Sequence, residues 1–174
     1  MVITTASPSS RALNRRCDML TREESVAVAH SWEGTRYVLG GRVKHAGCDC
    51  GTLLAEWSIE CGICTCESLE SIGLYSHDWF CNTSEERYLL RLMRHARKTL
   101  ESVCRGGATV ETKPGCLVLF KVARSHLYNH GGIIVNWPMI VHAVDPCVVQ
   151  SDATRHYMTS FTEMCIFDPW MVNE

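Results

Sequence analysis

The sequence of 174 residues has no long hydrophobic run and almost no net charge. No apolar stretch approaches the roughly 20 residues that a membrane-spanning helix needs, so we expect no membrane span. The opening segment, MVITTASPSSRALNRR, lacks the apolar stretch of a secretory signal, so action outside the cytoplasm would need another delivery route. The formal net charge of −2 gives no reason to expect a nucleic-acid partner. The remaining composition, 46% hydrophobic and 21% charged, is ordinary for a globular domain.

Cysteine is abundant, with 11 residues, an odd number that leaves at least one thiol unpaired in a monomer. Without a secretory signal we expect reduced thiols, many of them buried as small hydrophobic side chains. Metal binding is the alternative, because Cys61, Cys64 and Cys66 form a C-x-x-C-x-C pattern. Structural zinc sites usually show two well-separated pairs of ligands, and no clean second pair follows here. The sequence therefore favours a protein without a metal or other cofactor.

The chain divides into a short tail and one domain. Residues 1–12 contain Ser, Thr and Pro without periodicity and are predicted to form a flexible tail. Residues 13–174 are predicted to form a single domain, since no internal repeat or low-complexity segment interrupts them. Inside that domain, an amphipathic helix over 84–103 is predicted within a helical insertion at about 76–105.

Two helices are predicted before this insertion. Thr21 and Glu24 fit a capping box at the start of the first, and the second begins near Cys50. From residue 106 onwards, short apolar runs separated by turns indicate strands. These predicted strands are 116–121, 132–135, 139–144, 148–149 and 165–167. Helices followed by strands indicate an α+β fold in which N-terminal helices pack on a C-terminal antiparallel β-sheet.

One thiol and two histidines form the candidate site. Cys50 begins the run CGTLL at a loop-to-helix junction, where the helix dipole and a nearby imidazolium can lower the pKa of a nucleophilic thiol. His130 begins the run HGGIIV and is the candidate base, and His142 in MIVHAV is the candidate orienting group. A hairpin joining the two runs would place these histidines opposite each other. The alternatives are an inert buried Cys50, a core His142, and His126 as the base.

These segments together resemble the NlpC/P60 family of papain-like cysteine peptidases. GTRYVLGGR followed by GCDCGTLL is similar to the family's nucleophile motif, in which Tyr and Gly-Gly precede Asp-Cys-Ser-Gly. PGCLVLFK resembles the strand before the family's histidine, NHGGIIV the His-Val-Gly-Ile segment, and MIVHA the Ile-His-Ala segment. The match covers about residues 22–145 in the family's order.

The resemblance implies a papain-like fold and the activity of a cysteine endopeptidase. Cys50 would be the nucleophile, His130 the base and His142 the orienting residue. Tyr37 and Asp49 would lie in the substrate cleft, where family members recognise a free amine of the peptidoglycan stem peptide. The bond cut would be an amide in that peptide, with the γ-D-glutamyl to diamino acid bond as the family's precedent. No cofactor would be needed.

The sequence departs from the family's pattern in three places. Gly51 and Thr52 stand where the family has Ser-Gly, and Cys116 replaces an Asp. Cys48 forms a C-x-C with Cys50, and an oxidised or metal-bound pair would silence the nucleophile. We therefore keep a non-enzymatic, cysteine-rich metal-binding protein as one alternative function. Another thiol amidase or an acyltransferase on the same scaffold is the second.

The segment from Asp78 onwards resembles an insertion found in phage-type and gene-transfer-agent cell-wall peptidases that are associated with tail assembly. This narrower resemblance implies tail-tip proteins as partners, in addition to the peptidoglycan stem peptide. It also implies synthesis in the cytoplasm without a signal peptide, followed by action on the cell wall from the virion tail.

Overall fold

A computed structural model describes residues 19–65, 76, 81, 93–104, 111–122, 125–157 and 162–171. The predicted tail and most of the predicted insertion before residue 93 lie outside these described residues. Within them, two helices near the beginning of the chain precede a β-sheet.

Helix α1 spans Arg22–His30 and helix α2 spans Cys50–Glu60. The predicted capping box begins α1, with Thr21 Oγ1 accepting from the Glu24 N–H at 3.2 Å and the Thr21 N–H donating to Glu24 Oε2 at 2.8 Å. Helix α2 begins at Cys50, as predicted. Its inward residues are fully buried: Leu53, Leu54 and Trp57. None of the helices in the described part of the chain has both the length and the apolar character that crossing a membrane requires.

The described strands pair antiparallel in two sheets. Strands β1 (Arg42–Val43) and β2 (Gly47–Cys48) form a small hairpin just before α2. A short helix, α3 (Ala153–His156), lies between the last two strands of the larger sheet. That sheet contains six described strands: β3 (Arg97–Cys104), β4 (Leu117–Lys121), β5 (His130–Asn136), β6 (Met139–Ala143), β7 (Val148–Asp152) and β8 (Thr162–Asp168). Their order across the sheet is β3-β8-β4-β5-β6-β7.

The large sheet is packed on both faces. Helices α1 and α2 both contact β5 and bury one apolar cluster against the sheet. The strand residues of that cluster include Leu117, Leu119, Ile133 and Val141. The alternate residues of the same strands form a second cluster on the other face, including Val118, Phe120, Ile134 and Ile140. The prediction of an α+β fold with N-terminal helices on an antiparallel sheet is therefore confirmed.

The predicted helix over 84–103 is wrong where the structure describes it. Met93–His95 form a single 3-10 turn, and Arg97–Cys104 form strand β3. Strand β3 pairs with β8, for example through Leu100 opposite Ile166. A partner strand far along the chain supplies backbone hydrogen bonds and burial, and these outweigh the helical periodicity of the local sequence. The helical insertion therefore does not extend to 105, and its part over 82–92 lies outside the described residues.

Arg22 connects α1 to the end of β8. Its Nη2 lies 2.7 Å from both carboxylate oxygens of Asp168, and its Nη1 donates to the carbonyl oxygen of Pro114 at 3.1 Å. The guanidinium carbon lies 4.7 Å from the ring centroid of Trp170. Asp168 is 2% exposed, so this ion pair joins the first helix to the last strand inside the protein.

Candidate active site

Cys50 is the first residue of α2, and Asp49 is the N-cap that starts this helix. Asp49 Oδ1 accepts from the N–H groups of Gly51 at 3.0 Å and Thr52 at 2.9 Å. Asp49 Oδ2 accepts from the N–H of Gly40 at 2.7 Å. One carboxylate therefore satisfies the first turn of α2 and also fixes the loop that approaches it.

These contacts change the role that the sequence gave to Asp49. The residue is 1% exposed, so a ligand amine cannot reach its carboxylate in this conformation. In this conformation Asp49 shapes the loop before Cys50, and its contact with substrate stays a prediction. The sequence contained the signal for this role, because Asp directly before a helix is among the preferred N-cap residues.

The sulfur of Cys50 lies against the beginning of β5. Its Sγ is 3.9 Å from the carbonyl oxygen of Asn129, and the N–H of Gly131 is placed to stabilise a thiolate there. Asn129 and Gly131 are the two neighbours of His130, so α2 brings the thiol to the backbone on either side of the predicted base. Cys50 keeps partial exposure, which leaves it open to a ligand.

His130 and His142 meet through a direct hydrogen bond. His130 Nε2 lies 2.9 Å from His142 Nδ1, and the two rings are edge to face, with an interplanar angle of 83°. Both residues are buried, at 8% and 2% exposure. The prediction that they lie opposite each other is wrong in register. Ile133 pairs with Val141, so Gly132 lies beside His142, and the two histidines meet on the diagonal of the β5–β6 pair.

Ser151 and Tyr157 complete the surroundings of the histidine pair, and neither was predicted from the sequence. Ser151 Oγ is 2.7 Å from His142 Nε2, and the Tyr157 hydroxyl is 3.1 Å from His142 Nδ1. The Tyr157 ring also stacks on His130, with centroids 4.6 Å apart and planes 27° apart. Phe120 stacks on Tyr157 at 5.0 Å. No sequence spacing marks these contacts, because they depend on how β5, β6 and β7 align.

Burial keeps the thiol and the imidazole neutral. Burial, followed by the nearby carboxylate of Asp49, raises the pKa of Cys50 to about 12, although the N–H groups of Gly131, Gly51 and Cys50 act in the opposite direction. Burial, followed by the charge of His142, lowers the pKa of His130 to about 3. The expectation of a lowered thiol pKa is therefore wrong. At neutral pH the resting pair is a thiol and an uncharged imidazole.

Tyr37, which the family resemblance assigns to the substrate cleft, lies near enough to Cys50 for the charge of that thiol to act on its phenol. Its backbone forms an isolated bridge with Cys48, and its N–H donates to the carbonyl oxygen of Pro146 at 2.8 Å. Burial, and then the charges of Cys50 and Asp49, raise the pKa of the Tyr37 phenol above its ordinary value. The hydroxyl therefore stays protonated and can donate a hydrogen bond to a ligand.

The other candidate groups are not assembled into a site in the described residues. Cys48 is buried, and its thiol is free, as is that of Cys61. Cys66 lies outside the described residues, which contain no group of three His, Cys, Asp or Glu placed to hold a metal ion. His126, the second-choice base, is exposed on the loop before β5.

No protein-family model matches this chain, and no curated protein matches it. Among solved structures, the chain is similar to the NlpC/p60 domain of the peptidoglycan hydrolase SagA. The two share 15% sequence identity with a TM-score of 0.47, and the similarity covers 83% of this chain and 97% of that chain.

Proposed function

We propose that this protein is a cysteine peptidase that hydrolyses an amide bond in peptidoglycan stem peptides. One observation carries the proposal: Cys50 begins a helix and lies against the backbone on either side of His130, whose ring is hydrogen-bonded to His142 at 2.9 Å. A thiol, a base and a group that orients the base are the parts that acyl transfer through a thiol requires.

The first half of the reaction forms a thioacyl-enzyme. His130 accepts the Cys50 proton at Nδ1, the ring nitrogen that is not engaged with His142, and the sulfur attacks the carbonyl carbon of the amide. The N–H of Cys50 can donate to the developing oxyanion, whereas those of Gly51 and Thr52 already donate to Asp49. The C–N bond then breaks, and the proton held by His130 passes to the leaving amine.

The second half returns the enzyme to its starting state. His130 takes a proton from water, and the resulting hydroxide attacks the thioester carbonyl. The C–S bond breaks, the stem peptide leaves with a new carboxyl group, and the sulfur of Cys50 is reprotonated by His130. Since the resting pair is uncharged, the proton moves in concert with sulfur attack rather than before substrate binds.

The choice of a stem peptide as substrate rests on the resemblance of this sequence to NlpC/P60 peptidases. Tyr37 is the group that we assign to the substrate, since its protonated hydroxyl lies beside the nucleophile. Val38 and Leu39, which follow it in the chain, are exposed large apolar side chains. A peptide bound along this segment would place its polar end near Tyr37 and its apolar part on Val38 and Leu39.

We also propose that the protein acts at a phage tail, together with tail-tip proteins. This rests on the resemblance of the segment from Asp78 onwards to tail-associated cell-wall peptidases. Antibody labelling of purified virions in the electron microscope tests it, and we expect the label at one end of the tail. A label that stays in the cytoplasm of the producing cell and is missing from virions would contradict this location.

The activity is tested on purified peptidoglycan sacculi, with mass spectrometry of the released fragments. We expect cuts within the stem peptide, and none after Cys50→Ala or His130→Ala. His142→Asn should keep more activity than His142→Ala, because an amide can still hold an imidazole. His126→Ala is the matched control and should leave activity unchanged.

The same experiment separates the alternatives. Cleavage of small thioesters or amides without any action on sacculi would assign the site to another thiol amidase or an acyltransferase. Stoichiometric zinc or iron in the purified protein, together with an unreactive Cys50, would assign it to a metal-binding protein instead.

A further inference from the structure

Three aromatic rings lie nearly parallel on the face of the sheet that carries the second apolar cluster. His130 on β5 is paired with Phe120 on β4, and the Tyr157 ring stacks on both of them. The Tyr157 centroid is 4.6 Å from that of His130 and 5.0 Å from that of Phe120, with interplanar angles of 27° and 25°. The Phe120 and His130 rings are themselves 6.5 Å apart at 23°. The His130 imidazole is therefore stacked against a phenol ring that a third ring supports.

Tyr157 is the outermost of these three rings, and α3 holds it in place. Phe120 is fully buried and His130 is nearly so, whereas Tyr157 keeps part of its surface exposed. Tyr157 ends α3, and its N–H donates to the carbonyl oxygen of Ala153 at 2.9 Å. Ala153 is itself fully buried, and its N–H donates to the carbonyl oxygen of Pro138 at 2.9 Å. The phenol ring is thus anchored between the imidazole and solvent.

The hydroxyl of Tyr157 is a separate matter from its ring. It lies 3.1 Å from His142 Nδ1, the same nitrogen that His130 Nε2 reaches at 2.9 Å. A ring nitrogen of a neutral imidazole has either one lone pair or one hydrogen, so the phenol and His130 share it. Whichever way the hydrogens point, the hydroxyl does not strengthen the bond between the two histidines. Any support that Tyr157 gives to His130 must therefore come from the ring.

We propose that Tyr157 is a positioning residue for His130, and that its ring covers one face of the imidazole, excludes water from it and fixes the plane in which Nε2 meets His142. This inference rests on the proposed function, in which the same plane presents His130 Nδ1 to the Cys50 thiol. A stacked aromatic pair favours one ring orientation by up to about tenfold. Because the hydroxyl plays no part, phenylalanine at position 157 would serve equally well.

Exclusion of water also keeps His130 uncharged. Burial is the main cause of its lowered pKa, which is about 3, and the charge of His142 on β6 is the second. The other groups around His130 are Phe120 on β4, the thiol of Cys50 on α2 and the phenol of Tyr157. Burial raises the pKa of both the thiol and the phenol, so neither carries a charge at neutral pH. Removing the covering ring should therefore let water reach the imidazole and raise its pKa.

The direct test is an NMR titration of His130 in the full chain, with its signals assigned by their loss in His130→Gln. Tyr157→Phe should titrate as the wild type does, and Tyr157→Ala should raise the pH at which His130 titrates by about one to two pH units. Leu100→Ala is the matched control, because Leu100 packs against the same apolar cluster from β3, which β8 and β4 separate from β5. It should leave the titration unchanged.

Kinetics on sacculi supply the second measurement. Tyr157→Phe should keep kcat within about twofold of the wild type, because the stacked ring remains. Tyr157→Ala should lower kcat about tenfold or more with little change in KM, because His130 is then free to turn away from the thiol. A loss in Tyr157→Phe as large as that in Tyr157→Ala would assign the role to the hydroxyl and overturn the proposal. An unchanged His130 titration in Tyr157→Ala would overturn it as well.

The titration needs no substrate, so it separates this inference from the proposed function. A raised His130 titration in Tyr157→Ala, in a protein whose wild type leaves sacculi intact, would support the covering ring and contradict the peptidase assignment. An active wild type in which Tyr157→Ala changes neither the titration nor kcat would support the peptidase and overturn the role of Tyr157.

Discussion

Gly132 on β5 lies beside His142 on β6, and a Cβ atom at position 132 would come within 3.2 Å of the His142 Cβ. The same added atom would lie 2.9 Å from Ile140 Cδ1. Because Gly132 has no side chain, there is space for the His142 side chain to extend diagonally across the strand pair and reach His130. The hydrogen bond between the two imidazoles therefore depends on a residue that has no side chain of its own.

Gly132→Ala should separate the two histidines. We expect kcat on sacculi to fall at least tenfold and stability to fall by about 1–3 kcal/mol, the typical cost of overpacking a buried site. Urea unfolding and steady-state kinetics measure the two effects. Gly132→Ala combined with Ile140→Val removes the contact with Cδ1 but keeps the one with His142. Stability should then recover while kcat stays low, and full activity in the single variant would contradict the role of this space.

Acid should destabilise the protein through His130. Its pKa is about 3 in the folded protein and about 6.5 when unperturbed, so between these values the unfolded chain binds a proton that the folded protein does not. The stability present above pH 6.5 is therefore lost as the pH falls towards 3. We expect the free energy of unfolding to fall by about 2–3 kcal/mol from this residue between pH 7 and pH 4.5.

His130→Gln should remove that part of the acid dependence, as measured by urea unfolding at a series of pH values. His126→Gln is the control, because His126 is exposed on the loop before β5. The control should keep the full acid dependence of the wild type. Parallel curves for wild type and His130→Gln would show that His130 has the same pKa in the folded protein as in the unfolded chain.

Asp49→Asn should make Cys50 more reactive. The Asp49 carboxylate raises the pKa of the thiol, so its removal favours the thiolate, while the asparagine oxygen can still cap α2. Reaction of Cys50 with an aromatic disulfide reagent at pH 8 should speed up about three- to fourfold for each unit that the pKa falls. The gain in thiolate fraction is tenfold per unit and is partly offset by lower nucleophilicity. Mass spectrometry of the Cys50 peptide follows the rate.

Asp145→Asn is the matched control for this measurement, because Asp145 is exposed and is not among the groups that raise the Cys50 pKa. It should leave the rate unchanged. A rate that rises equally in both variants would mean that net charge, and not the carboxylate at the helix start, controls the thiol.

Arg22→Ala should destabilise the fold strongly. The Asp168 carboxylate is 2% exposed and would lose its guanidinium partner, which costs about 3–5 kcal/mol for a buried ion pair with one member removed. Arg155→Ala is the control, since the Arg155 side chain is 82% exposed at its contact with Asp152 and should cost less than about 1 kcal/mol. Urea unfolding of the two variants provides the comparison, and similar losses would contradict the role of Arg22.

Local signals in the sequence were enough to predict helices α1 and α2 and the β5–β6 hairpin. A capping box, a thiol at a loop-to-helix junction and two apolar runs around a turn each describe contacts between residues close together in the chain. Strand β3 could not be predicted in this way, because its partner β8 lies far along the sequence and only pairing reveals the strand.

The same reason explains which site residues were missed. Cys50, His130 and His142 carry a thiol and two imidazoles, which are candidate catalytic groups in any sequence. Ser151 and Tyr157 carry ordinary hydroxyls, and their contacts with His142 depend on the register of β6 and β7 and on the turn after α3. The sequence shows that Asp49 places a carboxylate next to a thiol, but it does not show that the carboxylate is enclosed and caps α2.

The position of β8 between β3 and β4 has a consequence for biosynthesis. Strand β8 is the last of the described strands along the chain and lies inside the sheet, so β3 and β4 cannot be joined while Thr162–Asp168 are still inside the exit tunnel. Asp168, the acidic partner of Arg22, arrives only then. A nascent chain that already contains the thiol and both histidines therefore still lacks the strand that joins β3 to β4 and the carboxylate that holds α1.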